Sequence, residues 1–403
     1  MKFPTYLKKV EKHLSVHDGA KVCGYISLEE ARVRSSYVDC RETQTNYHLR
    51  FVRTMPKPWD ELLTNLFSAL AALESADHVE AYTQFHGVVS ILNRMLVSCD
   101  RWILPVVYIT NRQLYHLSVK ADQQLVEAGQ KTGRLEDATR TINRTFSLCT
   151  TDRHPLHTSR KWGTYYLAGL LFAQYFRLHT RHLCTNVLRS MKMAELPAFS
   201  EFPLAHQVRF KYYTGLLDFY NGNYEAAEES LQFAFEHCRY DSRANKERIL
   251  AYLIPTYLYR GVLPSASLLG RYLRLKPIYQ PFALAIRTGD ISLYDTALQL
   301  NEGYLLRKET YLALEQARVL AARTLLKKTY LVADRTTRLP FTHYQAALRT
   351  VGVESDLAEV ECLLAGMIYK GLVKGYMAHE QGMLVLSKDN PFPSLKSIYR
   401  AKV

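Results

Sequence analysis

The sequence FTHYQAALRTVGVESDLAEVECLLAGMIYKGLVKGYMAHEQGMLVL, residues 341–386, decides the fold of the C-terminal part of the chain. Residues 341–351 predict a short helix. Asp356 with Glu359 three residues later has the spacing of a capping box, which predicts the start of a second helix. We expect that helix to end at Gly371, because glycine readily adopts the left-handed conformation that closes helices.

Two short strands are expected after the second helix. Residues 373–379 and 383–387 flank a compact loop that contains Gly382, which is typical of a β-hairpin. The apolar residues of the second helix recur at helical spacing and predict its buried face: Leu357, Val360, Leu364, Met367 and Ile368. A helix, a second helix and a hairpin in this order predict a winged-helix domain.

The sequence before the winged helix is helical almost throughout. Residues 205–238 contain two amphipathic segments around an Asn-Gly-Asn turn, and small residues allow the two helices to approach closely, as in a tetratricopeptide hairpin. One long helix, residues 304–333, is expected to lead into the winged helix. We therefore predict a mainly α protein, a tetratricopeptide-like helical solenoid that ends in a C-terminal winged-helix domain with a small β-hairpin wing.

The same patterns divide the chain into four predicted parts. Residues 1–58 are the least regular and read as an N-terminal arm packed on the body. N-terminal helical repeats are expected over residues 59–204, and the tetratricopeptide-like helical part over residues 205–333. The winged helix and a C-terminal tail are expected over residues 334–403.

The charge balance favours an acidic partner. The chain has 52 Lys and Arg against 38 Asp and Glu, a formal net charge of +14. An excess of this size fits nucleic acid or an acidic polypeptide, although a solvated basic surface is the simpler alternative. Cations near the winged helix are candidates for contact with nucleic acid: Arg335, Arg338, Lys370, Lys374, Lys388, Lys396, Arg400 and Lys402. Cations on the last solenoid helices are candidates for contact with an acidic partner: Lys246, Arg248, Arg271, Arg274 and Lys276. One of these helices is predicted over residues 264–275, with Arg271 and Arg274 on the same face.

Charges within the motif limit how it could contact nucleic acid. The second helix begins with Asp356, Glu359 and Glu361, at the end that reads base edges in a DNA-binding helix–turn–helix. Carboxylates there repel a duplex and argue against sequence-specific reading of the major groove. Backbone contact through the wing and the tail, without sequence preference, is one interpretation. A solvated, lysine-bearing edge strand that prevents aggregation is the other.

The sequence does not indicate an enzyme. It lacks the GxGxxG, GxxxxGK[ST], GxSxG and HExxH patterns of nucleotide, hydrolase and zinc-protease sites, and we predict no catalytic residue and no cofactor. His179, His182 and Cys184 have a spacing that could offer metal ligands, but a surface histidine with buried neighbours on a helix is the favoured interpretation. No apolar run is long enough to span a bilayer, and no secretory signal is recognised.

Specific short segments carry a resemblance to a known family. A solenoid that runs into a C-terminal winged helix resembles the PCI-domain proteins, which are scaffold subunits of the proteasome lid, the signalosome and a translation initiation factor. Within that family the chain resembles the PCI subunit of the nuclear-pore-associated transcription and mRNA-export complex, a signalosome-subunit-twelve-like protein. The segments that carry this resemblance are residues 121–126, 161–163, 182–184, 212–213, 234–238, 373–376 and 390–393.

The resemblance implies a non-enzymatic adaptor. It would pair with a large PCI-like scaffold and with a small, acidic, disordered subunit shared with the proteasome lid. It would contact RNA or DNA without sequence preference, and nuclear-pore proteins indirectly. The implied location is the nucleus, at or near the nuclear pore, with the cytoplasm as a second location and no membrane contact.

Two further expectations follow from the same resemblance. The edges of the two predicted strands, residues 373–379 or 383–387, are expected to pair with the scaffold's winged helix by β-augmentation. The alternative function is a PCI scaffold subunit of a signalosome-type or proteasome-lid-type complex with no direct nucleic-acid role.

Overall fold

A computed structural model describes residues 1–395 and 398 of the chain. The chain forms two compact units, Met1–Tyr213 and Thr214–Val403. The finer division into four parts stays a prediction. No helix in residues 1–395 combines the length and the apolar composition that crossing a bilayer would need.

The first unit is entirely helical in its regular structure. Its long helices are connected by short turns, as the spacing of apolar residues predicts. In chain order they are α1 (Phe3–Ser15), α2 (Gly19–Ile26), α3 (Ala31–Glu42), α4 (Tyr47–Thr54), α5 (Trp59–Glu74), α6 (His78–Met95), α7 (Leu104–Glu127), α8 (Arg134–Thr150), α9 (Thr164–Arg177) and α10 (Leu183–Met193).

Residues 1–58 are more regular than the sequence predicts, because α1 to α4 occupy most of them. Phe3 and Phe51 are fully or almost fully buried, with ring centroids 5.6 Å apart. Phe51 in turn packs edge-on against Phe67 of α5, at 5.0 Å. Helix α3 is polar over most of its surface, so its helical character depends on tertiary packing that its composition does not reveal.

Helix α11 (Leu204–Tyr220) contains the boundary between the units, and the second unit continues with helices and a small sheet. The elements that follow are α12 (Tyr224–His237), α13 (Arg243–Tyr259), α14 (Ala266–Arg271), α15 (Lys276–Thr288), α16 (Ile291–Arg307), α17 (Tyr311–Val332), β1 (Arg338–Pro340), α18 (Phe341–Thr350), α19 (Leu357–Tyr369), β2 (Gly375–Ala378) and β3 (Met383–Leu386).

The single helix predicted over residues 304–333 is divided in the structure. Helix α16 ends at Arg307 and α17 begins at Tyr311. Between them Glu309 has a left-handed backbone, with φ of 55°, and Thr310 is fully buried. A left-handed residue interrupts the i to i−4 hydrogen bonds, and neither glycine nor proline marks this break in the sequence.

The wing has one strand more than the sequence predicts. The three strands form an antiparallel sheet in the order β1-β3-β2. Strand β3 therefore lies in the centre, with Arg338 opposite Val385 on one side and Tyr376 opposite Val385 on the other. The expectation that residues 383–387 offer a free edge is wrong, because β1 already pairs with β3. Only β1 and β2 have unpaired edges within the described sheet.

The winged helix follows its local sequence signals closely. The Asp356 carboxylate accepts a hydrogen bond from the Glu359 N–H at 2.7 Å, and Glu359 accepts one from the Asp356 N–H at 3.1 Å. This confirms the capping box of α19, and Gly371 has the predicted left-handed backbone, with φ of 70°. Three residues of the predicted buried face are in the core: Val360, Leu364 and Met367. Ile368 is partly buried, whereas Leu357, the first residue of α19, is 47% exposed and was wrongly placed in the core.

The chain after the sheet folds back onto the winged helix. The buried Arg323 of α17 donates hydrogen bonds to the Leu372 carbonyl at 2.9 Å and the Pro393 carbonyl at 2.7 Å. The Phe392 ring packs against Tyr330 of the same helix at 5.6 Å. Arg323 thus connects α17, the link after α19 and the tail, which is a structural role for a residue that sequence reasoning counted only as a cation.

Candidate nucleic-acid and partner-binding surfaces

The predicted cations of the wing converge on one end of its sheet. The Ser387 N–H donates to the Lys374 carbonyl at 2.9 Å, so Lys374 and Lys388 lie together at the open end of the hairpin. The Leu386 N–H donates to the Thr337 carbonyl at 2.7 Å, which places Arg338 at the same end. Arg338, Lys374 and Lys388 are all exposed. The register therefore gathers positive charge at one end of the wing, away from the turn at Gly382.

Two further candidates flank this group in the chain. Lys370 is the exposed C-cap of α19, four residues before Lys374. Arg335 is also exposed, with a left-handed backbone in the turn after α17. The remaining candidates lie outside the described residues: Lys396, Arg400 and Lys402.

Exposed tyrosines accompany these cations, and sequence reasoning missed them. Arg338, Val385 and Tyr376 form one cross-strand row on the solvent face of the sheet. Tyr376 is 64% exposed, and Tyr369, next to Lys370, is 93% exposed. An aromatic ring beside cations is the combination that binds the bases and backbone of single-stranded nucleic acid. The alternation of residues in β2 could have revealed Tyr376, because its neighbours along the strand point to the opposite face.

The carboxylates at the start of α19 already have partners. Asp356 and Glu359 hold the capping box, and Glu361 contacts the His379 ring, with Oε2 and Nδ1 2.9 Å apart. They nevertheless keep negative charge at the end of α19 that would enter a major groove. That α19 does not read bases stays a prediction.

The second group of cations is arranged differently from the prediction. Helix α14 ends at Arg271, so Arg274 lies in the turn that follows and the two residues do not share a helix face. The prediction of one helix over residues 264–275 is wrong, since Tyr272 leaves helical geometry with ψ of 75°. Arg274 instead approaches Glu247 of α13 at 4.0 Å.

Arg243 also belongs to this group, although the sequence analysis does not predict it. Arg243 donates to the Arg271 carbonyl at 2.8 Å and approaches Glu247 at 3.5 Å, which draws the turn towards α13. The Lys246 ammonium lies 4.9 Å from the centre of the Phe235 ring. Arg248 and Lys276 are exposed. One carboxylate shared by two arginines leaves this region positive overall, as an acidic partner would require.

The possible metal ligands do not form a site. Within the residues that the structure describes, no three His, Cys, Asp or Glu side chains are arranged to hold a metal ion. Cys184 is fully buried, and burial raises the pKa of its thiol to about 12, so the thiolate that metals prefer is disfavoured.

Comparison with known proteins identifies a family match in the C-terminal part of the chain. The model of the PCI domain family matches residues 298–388, which include α17, the winged helix and the sheet. A Schizosaccharomyces pombe protein named Protein CSN12 homolog is 39% identical over 356 residues, covering 85% of this chain and 84% of the relative. A Xenopus laevis protein named PCI domain-containing protein 2 is 31% identical over 399 residues, covering 98% of both chains.

The chain belongs to the PCI-domain family. An Arabidopsis thaliana relative of this family, Enhanced ethylene response protein 5, is 34% identical over 343 residues, covering 84% of this chain and 81% of its own. Because the similarity extends well beyond residues 298–388, it includes the helical part of this PCI-domain protein as well as its winged helix. The predicted fold, a helical solenoid with a C-terminal winged helix, is confirmed.

Proposed function

We propose that this PCI-domain protein is a non-enzymatic scaffold subunit of a multi-protein complex. The observation that carries the proposal is the winged helix, whose sheet offers the backbone of β2 as an unpaired edge in the described structure. An exposed strand edge can accept a strand from a partner and gives affinity through main-chain hydrogen bonds. A second PCI-type subunit is the partner that fits this edge.

The names of the relatives and the resemblance of the sequence support two different kinds of complex. The relatives' name, CSN12 homolog, agrees with a signalosome-type assembly, which the comparisons favour. The nuclear mRNA-export complex is the finer proposal and rests on the sequence resemblance. It would add a large PCI-like scaffold and a small acidic subunit, the latter placed against the cations around Arg243 and Lys246. It would also place the protein at or near the nuclear pore.

Tagged purification with mass spectrometry separates these assemblies. Recovery of signalosome subunits in stoichiometric amounts supports the first proposal. Recovery of a large PCI-like scaffold, a small acidic subunit and nuclear-pore proteins supports the second. A purification that yields the chain alone under mild conditions would overturn the scaffold role in both forms.

A second candidate function, contact with single-stranded nucleic acid, is favoured by the row of Arg338, Val385 and Tyr376. The aromatic ring offers a stacking platform, and the neighbouring cations offer phosphate contacts without sequence preference. Alanine at a stacking aromatic typically costs about 1–3 kcal/mol per base. Tyr376→Ala is therefore expected to weaken binding of a single-stranded oligonucleotide about fivefold or more, measured by fluorescence anisotropy.

Tyr240 provides a matched control for this measurement. It is 92% exposed and lies in the same unit, away from the sheet in the sequence. Tyr240→Ala should leave oligonucleotide binding unchanged. Equal affinities of the two variants and the wild-type protein would exclude the sheet face as a stacking surface.

A further inference from the structure

A cavity of about 410 Å³ lies in the first unit, where α3, α5 and α7 meet. Aliphatic side chains supply its apolar part, among them Leu70, Leu73 and Leu117. Its volume is at the lower end of the range of about 300–1,000 Å³ for ligand pockets. The cavity therefore has room for a few side chains of a bound partner.

The carboxylates that line the cavity are already neutralised. Glu29 pairs with Arg112, with Oε2 and Nη2 2.9 Å apart. Glu74 accepts hydrogen bonds from the Arg41 guanidinium and, at 3.4 Å, from the Tyr37 hydroxyl. Neither Arg112 nor Arg41 is among the residues that line the cavity. Arginines outside the cavity thus neutralise the negative charges that line it.

The cations that line the cavity lack such partners. Arg34 and Lys120 form no ion pair with any residue that the structure describes. The Nε of Arg34 donates to the Leu28 carbonyl at 2.7 Å, which holds the side chain and leaves its two terminal nitrogens available. Nδ1 of His78 is shielded from solvent and has no hydrogen-bond partner in the described part of the chain.

The surrounding charges make this region electropositive. Burial lowers the pKa of His116, and the positive charges of Arg112, Arg209 and Lys120 lower it further, against an opposing effect of Glu29. The exposed cations Arg34 and Lys120 would attract a carboxylate that enters the cavity, with a strength that falls as the salt concentration rises.

We propose that this cavity binds an acidic peptide segment of a partner protein, which presents a carboxylate to Arg34 and Lys120 and an aliphatic side chain to Leu70 and Leu117. Charge complementarity and the apolar lining argue for this occupant over a phosphate backbone, which has no aliphatic groups to bury. The inference goes beyond the proposed function, because none of these residues belongs to the candidate surfaces of the second unit.

The test uses the full chain and two fluorescein-labelled peptides. One alternates glutamate with leucine over ten residues, and the other replaces each glutamate by glutamine. Fluorescence anisotropy should show at least tenfold tighter binding of the glutamate peptide. Lys120→Glu is expected to weaken that binding at least fivefold, because it places a carboxylate where the peptide's own should lie.

Lys131→Glu is the matched control, since Lys131 is an exposed lysine of the same unit outside the cavity and the substitution makes the same change in net charge. It should leave binding of the glutamate peptide within twofold of the wild-type value. Arg34→Gln is a second variant within the cavity and should also weaken binding of the glutamate peptide. Its thermal unfolding is measured to show that the variant is folded.

Several results would overturn the proposal. Equal binding of the two peptides, or equal effects of Lys120→Glu and Lys131→Glu, would exclude charge recognition in the cavity. Saturable binding of 4-phenylbutyrate without binding of the peptide would identify a site for small anions instead. Displacement of the peptide by a single-stranded oligonucleotide that is itself sensitive to Lys120→Glu would identify nucleic acid as the occupant. None of these results affects capture of partners by the second unit, so failure here is distinguishable from failure of the scaffold role.

Discussion

Arg323→Met should release the C-terminal tail from the winged helix. The wild-type Arg323 residue is 8% exposed, and its guanidinium donates to two carbonyls of buried residues, Leu372 at 2.9 Å and Pro393 at 2.7 Å. Hydrogen bonds from a charged donor contribute about 1.5–3 kcal/mol each, which gives about 3–6 kcal/mol for the pair. Part of this is offset because the variant no longer buries a charge. We expect a net loss of about 3 kcal/mol for local opening.

Hydrogen exchange of the full chain, followed by mass spectrometry, measures that local opening. A loss of about 3 kcal/mol corresponds to exchange that is about a hundredfold faster in the peptides that contain Leu372 and β2. Lys327→Met is the matched control, because Lys327 lies on the same helix and is exposed. If the two variants exchange at the same rate in these peptides, Arg323 does not hold the tail in place.

The other predictions concern the core, the wing and the first unit. Leu364→Asp places an unpaired charge at a site that is 1% exposed and should unfold the winged helix; a wild-type thermal transition would contradict the position of α19. Reversal of Lys370, Lys374 and Lys388 to glutamate should reduce the salt dependence of single-strand binding by about 0.7 per lost phosphate contact, and an unchanged slope would exclude the wing. Burial, with the nearby Arg209 charge, lowers the pKa of His206 to about 4 from its ordinary value of 6.5. The unfolded chain therefore binds the proton first, and acidification from pH 6.5 towards 4 should destabilise the first unit. His206→Gln should flatten urea-denaturation stability over that range, whereas an identical pH dependence in both proteins would refute the assignment.

Local signals explain why α19 could be predicted from the sequence. The capping box at Asp356, the glycine stop at Gly371 and the spacing of Val360 and Leu364 all act within one helix, and each is confirmed. The predicted burial of Leu357 is wrong. Its spacing fits the buried face, but its position in the first turn of α19 leaves it exposed.

Features that depend on distant contacts could not be predicted in this way. Strand β1 has three residues and ends in proline, so only its pairing with β3 makes it a strand. The break between α16 and α17 lies at Glu309, a residue with no intrinsic preference for a left-handed backbone. The helices of residues 1–58 are held by aromatic contacts across the unit, such as that between Phe51 and Phe67.

The candidate surfaces show the same limit. The sequence identifies Arg338, Lys374 and Lys388 as cations near the winged helix. Their common location at one end of the wing depends on the register of the sheet. A pattern of charges does not reveal the neighbouring Tyr376, whose exposed ring depends on the alternation of residues in β2. The sequence predicts Arg271 and Arg274 on one helix, but that helix ends at Arg271. Gly270, whose helix propensity is low, is a local signal of this end.

The native mass of the tagged protein, purified under mild conditions from cells that express it, tests the central claim most directly. Size-exclusion chromatography with light scattering should find the 46.5 kDa chain in a much larger assembly that contains a second PCI-type subunit at a one-to-one ratio. A species of 46.5 kDa that carries no stoichiometric partner would contradict the account of this protein as a scaffold subunit.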